Sequence, residues 1–125
     1  RYSSGTEWED RVGYSRGIRV GNLIEIAGTT AVDAHGEVVG KDDPARQTTF
    51  IIEKAVDAIG KLGGTIHDVV RTRIYVTDIS AWEAIGKAHG EFFSKVKPAV
   101  TMVEVSRLIQ PELLVEIEFT AFIRD

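Results

Sequence analysis

Hydrophobic residues recur along this chain at two spacings, and the two predict different elements. Thr48, Ile52, Ala55, Ile59 and Leu62 fall every three or four residues and make one largely apolar stripe, the mark of a helix with one face in a core. Asp43 is placed to cap that helix. Pro44 suits its first position, where a missing N–H costs no hydrogen bond. Gly63-Gly64 supplies the stop. A second helix is expected from Ser80, because Ser80 and Glu83 have the capping-box spacing. Trp82, Ile85, His89 and Phe92 then share one of its faces. Pro98 ends that unit.

Alternating segments predict strands around these helices. Tyr14 to Val20 and Asn22 to Thr30 read as a hairpin turned at Gly21-Asn22. A turn at Ala34-His35-Gly36-Glu37 leads into a short strand, Glu37 to Val39. Val69 to Thr77 follows the first helix, and Ala99 to Leu108 and Leu113 to Ile123 close the chain. Residues 1–11 are polar, carry Trp8 and read as an irregular arm; residues 12–125 form one domain. The order is β-β-β-α-β-α-β-β, an α/β (α+β) fold with a mixed sheet and two helices on one face.

Strand parity exposes an asymmetry. Leu113, Val115, Ile117, Phe119, Ala121 and Ile123 share a continuous hydrophobic face that belongs under the helices. Leu114, Glu116, Glu118, Thr120 and Phe122 share the other. Two helices cover one sheet face, so the second is left partly apolar and partly carboxylate. Such a patch predicts oligomerisation.

Composition narrows the chemistry. The 125 residues are 43% hydrophobic and 27% charged, with a net charge of −4 and no cysteine. Thiol catalysis, disulfides, Cys-ligated zinc and iron–sulfur clusters are excluded. The absent disulfides suit a reducing compartment, and a cytoplasmic location is expected. The acidic balance and the lack of a basic-aromatic strip argue against nucleic acid as a partner. No apolar run reaches the ~20 residues of a membrane helix, and no signal-peptide pattern is visible. The sequence begins at Arg1 rather than methionine, which leaves room for residues upstream. His35, His67 and His89 lack ligand spacing, so no metal is expected. Gly60, Gly63 and Gly64 do not form a phosphate loop, and no cofactor is expected.

Several strings, taken in order, resemble the YjgF/Rid family (reactive intermediate deaminases, also called L-PSP endoribonuclease-like proteins). They are Gly13-Tyr14-Ser15-Arg16-Gly17 with Gly21-Asn22, Ala27-Gly28-Thr29, Asp68-Val69-Val70-Arg71, Val76-Thr77-Asp78, Pro98-Ala99, Val103 to Leu108, and Val115-Glu116-Ile117-Glu118. The resemblance runs from about Val12 to Ile123. It implies a chorismate-mutase-like fold and a homotrimer with small-molecule clefts between subunits. Deaminating members hydrolyse enamines and imines without a cofactor, and an arginine after Pro-Ala binds the substrate carboxylate. Here that position is Val100, which cannot hydrogen-bond a carboxylate, and the neighbouring family cysteine is Met102. The chain thus resembles a divergent member of that family.

The resemblance makes Glu116 the candidate acid/base near the attacking water and Tyr14 the candidate ligand-orienting hydroxyl. An ordinary ion-paired carboxylate and an interface aromatic are the plainer alternatives. Val100, Met102, Arg16 and Trp8 are the remaining cleft candidates, with Arg16 as a cation from another direction and Trp8 as a lid. The plainer fates are a surface arginine and a mobile arm. Glu104, Glu118 and Arg107 read as an inter-strand or inter-subunit charge network.

Three functions compete. The first is a trimer binding a small metabolite between subunits, extended to hydrolytic or deaminase-like chemistry on an unknown substrate. An apolar Val100/Met102 pair beside Glu116 favours a neutral or cationic ligand for it. The second is a 2-aminoacrylate-type imine/enamine deaminase with a relocated arginine. The third is a non-enzymatic, chaperone-like trimer.

Overall fold

The computed structural model describes residues 1–124. Five strands form one mixed sheet: β1 (Gly17–Val20), β2 (Leu23–Thr30), β3 (Val69–Val76), β4 (Ala99–Glu104) and β5 (Val115–Phe122). Their order across the sheet is β1-β2-β5-β3-β4. β3 and β4 are parallel, joined by a helical crossover, and the other neighbours are antiparallel. The helices are α1 (Glu7–Val12), α2 (Pro44–Lys61) and α3 (Trp82–Phe93).

α2 forms for the reasons its sequence gives. Asp43 accepts a hydrogen bond from the Arg46 N–H at 3.0 Å, Pro44 opens the helix, and Gly63 beyond it adopts φ 94°. Thr48, Ile52, Ala55 and Ile59 are buried, joined by Ile51 and Ala58. Leu62 packs at the margin of that core. Across the sheet, Ile24 and Ile26 of β2, Ile74 and Val76 of β3, and Val115, Ile117, Phe119 and Ala121 of β5 complete it. Gln47, fully buried, donates to Gly40 O and Glu112 O and accepts from the Leu114 N–H, so the helix start is tied to the entry into β5.

Several local expectations are corrected. The arm is not irregular throughout: α1 occupies its second half and ends at Gly13, whose φ is 87°. Tyr14 therefore belongs to a helix exit, its N–H bonded to Glu9 O at 2.9 Å, and β1 starts only at Gly17. The short strand at Glu37 to Val39 reduces to a single bridge between Val32 and Val38. The last two strands are shorter than their patterns, ending at Glu104 and starting at Val115. The Ser80–Glu83 box gives way to a nearer acceptor: Asp78 takes both the Ser80 N–H and hydroxyl, at 3.0 and 2.6 Å. A short 3₁₀ turn, Ile79–Ala81, follows, and Trp82 starts α3 on an exposed position. Ile85 and His89 face inward as expected, with Phe93 rather than Phe92 fully buried beside them. The His89 ring bonds the Thr72 hydroxyl at 2.9 Å.

Register decides which side chains share a face. Thr72 pairs with Val100, Ile74 with Met102 and Val76 with Glu104, all on the helix side. Tyr75 pairs with Glu116 and Arg73 with Glu118, on the side no helix covers.

Candidate functional site

The uncovered face carries two kinds of surface. At one end Ile18, Val20, Leu23 and Phe122 are exposed, with Val20 opposite Leu23 and Leu23 opposite Phe122. Further along β5 lies a polar ladder. Tyr75 donates to Glu118 at 2.7 Å, which raises the pKa of its phenol, and Thr120 donates to Glu25. Among the described residues of a single chain, Glu104, Glu118 and Arg107 form no ion pair with one another. Glu104 instead accepts from the Ile79 N–H at 3.0 Å, and the ion pair formed among the described residues is Arg11–Glu7 at 3.9 Å.

Glu116 is the chemically distinctive member of this face. It is half-buried, and burial pushes its carboxyl above the ordinary value, with the Glu118 charge adding to the rise and the Arg16 charge opposing it. No hydrogen bond stabilises its charged form among the described residues. The carboxylate lies against the Gly28 backbone: a β-carbon built at Gly28 would stand 3.1 Å from Glu116 Cδ and closer still to Oε2. A side chain there would evict the carboxylate, so a glycine is required by the close approach.

Gly28 also organises Arg16. The guanidinium Nη2 donates to Gly28 O at 2.8 Å, and the Arg16 backbone accepts from the Ala27 N–H at 3.0 Å. Arg16 is only 9% exposed, so its place is inside rather than on the surface. The Tyr14 ring lies 5.6 Å from the guanidinium carbon, in cation–π range, and Tyr14 itself is 37% exposed. The fold therefore brings together Tyr14, Arg16, Gly28 and Glu116.

Val100 and Met102 lie elsewhere in the chain. They sit on β4, an edge strand, on the opposite sheet face from Glu116, with β3 between β4 and β5. Within one chain there is thus no apolar pair beside Glu116. Trp8 is on α1, half exposed, with the Arg11 guanidinium 4.9 Å from its ring centre.

Two further groups join the site's margin. Glu9 is buried; burial would raise its carboxyl, but hydrogen bonds from the Ser4 and Ser3 hydroxyls, the Ser4 N–H and the Thr6 hydroxyl outweigh that and bring it to about 2. The Thr6-x-x-Glu9 spacing was a readable helix-start signal. Lys54 reaches from α2 to Val32 O at 3.1 Å. Its position between Ile51 and Ala55 at the stripe's edge was the available clue. No group of three His, Asp or Glu converges in metal-binding geometry among the described residues. A groove of about 340 Å³ between Arg46 of α2 and Lys87 of α3 lies on the outer helical layer, away from this face.

The family model described as "Endoribonuclease L-PSP" matches residues 6–123. The chain belongs to this family. A crystal structure of a YjgF-family member from Mycobacterium tuberculosis superposes with a TM-score of 0.89 at 48% identity, covering 98% of this chain and 97% of that one. An uncharacterised protein of Streptomyces coelicolor is 36% identical over 123 residues, 98% of this chain and 90% of its own length. A RutC family protein of Pyrococcus abyssi is 36% identical over 110 residues, 87% of this chain and 85% of its own. Family membership accounts for the mixed α/β architecture and supports a Rid-like protein. No helix among the described residues is long and apolar enough to cross a membrane.

Proposed function

We propose that this protein is a homotrimer that binds a small metabolite in clefts between subunits and hydrolyses a C–N bond there, with Glu116 moving the protons. The observation that carries the reading is the half-buried Glu116 carboxyl, unbonded and raised in pKa beside the Arg16 charge. Raising a carboxyl's pKa makes its carboxylate a stronger base, the direction that suits general acid–base work. In the reaction, water adds its oxygen to the C=N carbon and Glu116 takes the water's proton. Glu116 returns that proton to nitrogen to give a carbinolamine; it then takes the carbinolamine's hydroxyl proton and passes it to the amine nitrogen, so that the C=O bond forms as the C–N bond breaks and ammonia and a carbonyl compound leave. Tyr14, exposed at the mouth, orients the ligand. The exposed apolar end around Leu23 and Phe122 supports assembly, because its burial stabilises by about 25 cal/mol per Å². A neighbouring copy also gives Val100 and Met102 of the edge strand a route to the cleft.

The test is ammonia release from a panel of imines and enamines, 2-aminoacrylate first, measured against spontaneous hydrolysis. The wild type is expected to accelerate at least one of them, and Glu116→Gln to lose about 100-fold or more of that acceleration. A wild-type rate equal to buffer throughout, or an undiminished Glu116→Gln rate, contradicts the proposal.

A further inference from the structure

The close approach of Glu116 to Gly28 depends on an irregularity in β2. Ile26 pairs with Phe119 of β5 and Thr29 with Ile117, so Ala27 and Gly28 together stand opposite Glu118 alone. This is a β-bulge, an extra residue that bends its strand and takes backbone groups out of the ladder. Groups freed in this way need other partners when they are not open to water. Side chains supply them here. Gly28 O accepts from Arg16 Nη2 at 2.8 Å, and Ala27 O accepts from the Thr29 hydroxyl at 2.7 Å. The Ala27 N–H donates to Arg16 O at 3.0 Å, so the segment before β1 is held to the bulge by backbone as well as by side chain. Both side chains are buried. Arg16 Nε is buried without an acceptor, so the guanidinium is directed at the protein's own backbone even at the cost of one unbonded donor.

We propose that Arg16 and Thr29 are positioning residues for Glu116: by pinning the two bulge carbonyls they fix the Gly28 backbone against which the carboxylate is seated. This rests on the functional reading above and adds the residues that hold its proton carrier in place. They act through the backbone, since they bond Gly28 and Ala27 and Gly28 in turn bears on Glu116. A glycine segment without pins has wide conformational freedom, and moving a reacting group by about 1 Å can cost on the order of 100-fold in rate. The charged and titratable groups facing Glu116 are Arg16, Glu118 and Tyr75. Thr29 is neutral, so replacing it removes a pin and none of those charges.

The test compares Arg16→Met, Arg16→Lys and Thr29→Val in the full-length, assembled protein. Amide hydrogen exchange is read at Ala27 and, as a distant control, at Ser94, whose N–H bonds Gly90 O at the end of α3. Exchange at Ala27 is expected to quicken about tenfold in Arg16→Met and about threefold in Thr29→Val, with Ser94 unchanged. In Thr29→Val the midpoint of the Glu116 carboxyl, followed by carbon-13 NMR, is expected to move down toward the ordinary 4.5 as the loosened carboxylate meets water. With an imine or enamine substrate, kcat is expected to fall about tenfold or more in Arg16→Met and less in Thr29→Val, while KM stays within about twofold. Arg16→Lys, which keeps the charge and a donor, recovers part of that loss. Ala27 exchange unchanged in both Arg16→Met and Thr29→Val, or Ser94 quickened as much as Ala27, overturns the proposal. So does faster Ala27 exchange with kcat and the Thr29→Val midpoint unmoved. A wild type that turns over no imine or enamine overturns the functional reading instead, and Ala27 exchange with the Glu116 midpoint then decides for or against the pins.

Discussion

The two faces of β5 are built from alternate residues of one eight-residue strand, yet they do opposite work. Val115, Ile117, Phe119 and Ala121 are buried beneath α2 and its neighbours. Glu116, Glu118 and Thr120 face away, half-buried, with Phe122 exposed at the end. The covered face is made of side chains that need nothing but contact. The open face is made of groups that need partners and do not all have them. The difference teaches that stability and chemistry are separated by a single step along the strand, so substitutions one residue apart should fail in different ways.

The sharpest contrast is between Phe119 and its neighbours. Phe119→Ala leaves a cavity in the covered face and is expected to cost about 3–5 kcal/mol of folding stability, measured by denaturant unfolding. Phe122→Ala, on the open face, is expected to lower oligomer mass in light scattering more than it lowers subunit stability. Equal stability losses at both positions would break the comparison.

Gly28→Ala is the next largest effect. Its β-carbon displaces the mobile end of Glu116 rather than backbone, so the expected outcome is near-normal melting with activity down about 100-fold. A variant that keeps full activity would show that the carboxylate does not need its seat on Gly28.

Glu9→Gln probes the arm. The folded carboxyl sits at about 2, below its ordinary 4.5, so its stabilisation is present above 4.5 and is lost as pH falls toward 2. Glu9→Gln should cost about 2 kcal/mol at pH 7, with the gap to wild type closing in acid. A gap that does not change with pH would assign the effect to shape rather than charge.

The smallest expected effect has the opposite sign. Glu116 has a raised folded pKa, so its contribution to stability is full below 4.5 and is lost as pH rises through the folded value. Glu116→Gln should therefore melt slightly higher than wild type at pH 7 and no higher below pH 4.5.

Much of this was legible in the sequence, and the particular residues explain which parts. The stripe from Thr48 to Ile59 and the parity of β5 are local patterns, and both are realised. Tyr14, Arg16 and Glu116 could be singled out from strings, and the fold gathers them. The relation of Val100 and Met102 to Glu116 could not be read. Parity within a strand is local, whereas the register of β4 on β3, and of β3 on β5, is set by packing far along the chain. α1 was missed because a six-residue helix has too little periodicity to show; what holds it is Glu9, gathering Ser4 and Thr6. Lys54 was hidden for a related reason, since its partner is a backbone carbonyl.

The central claim is that the open face holds a glutamate poised for proton transfer. Carbon-13 NMR titration of the Glu116 carboxyl in the assembled protein tests it without needing a substrate. The midpoint is expected above the ordinary 4.5, and higher again in Arg16→Gln, where the opposing charge is gone. A midpoint at or below 4.5 in the wild type would contradict the account.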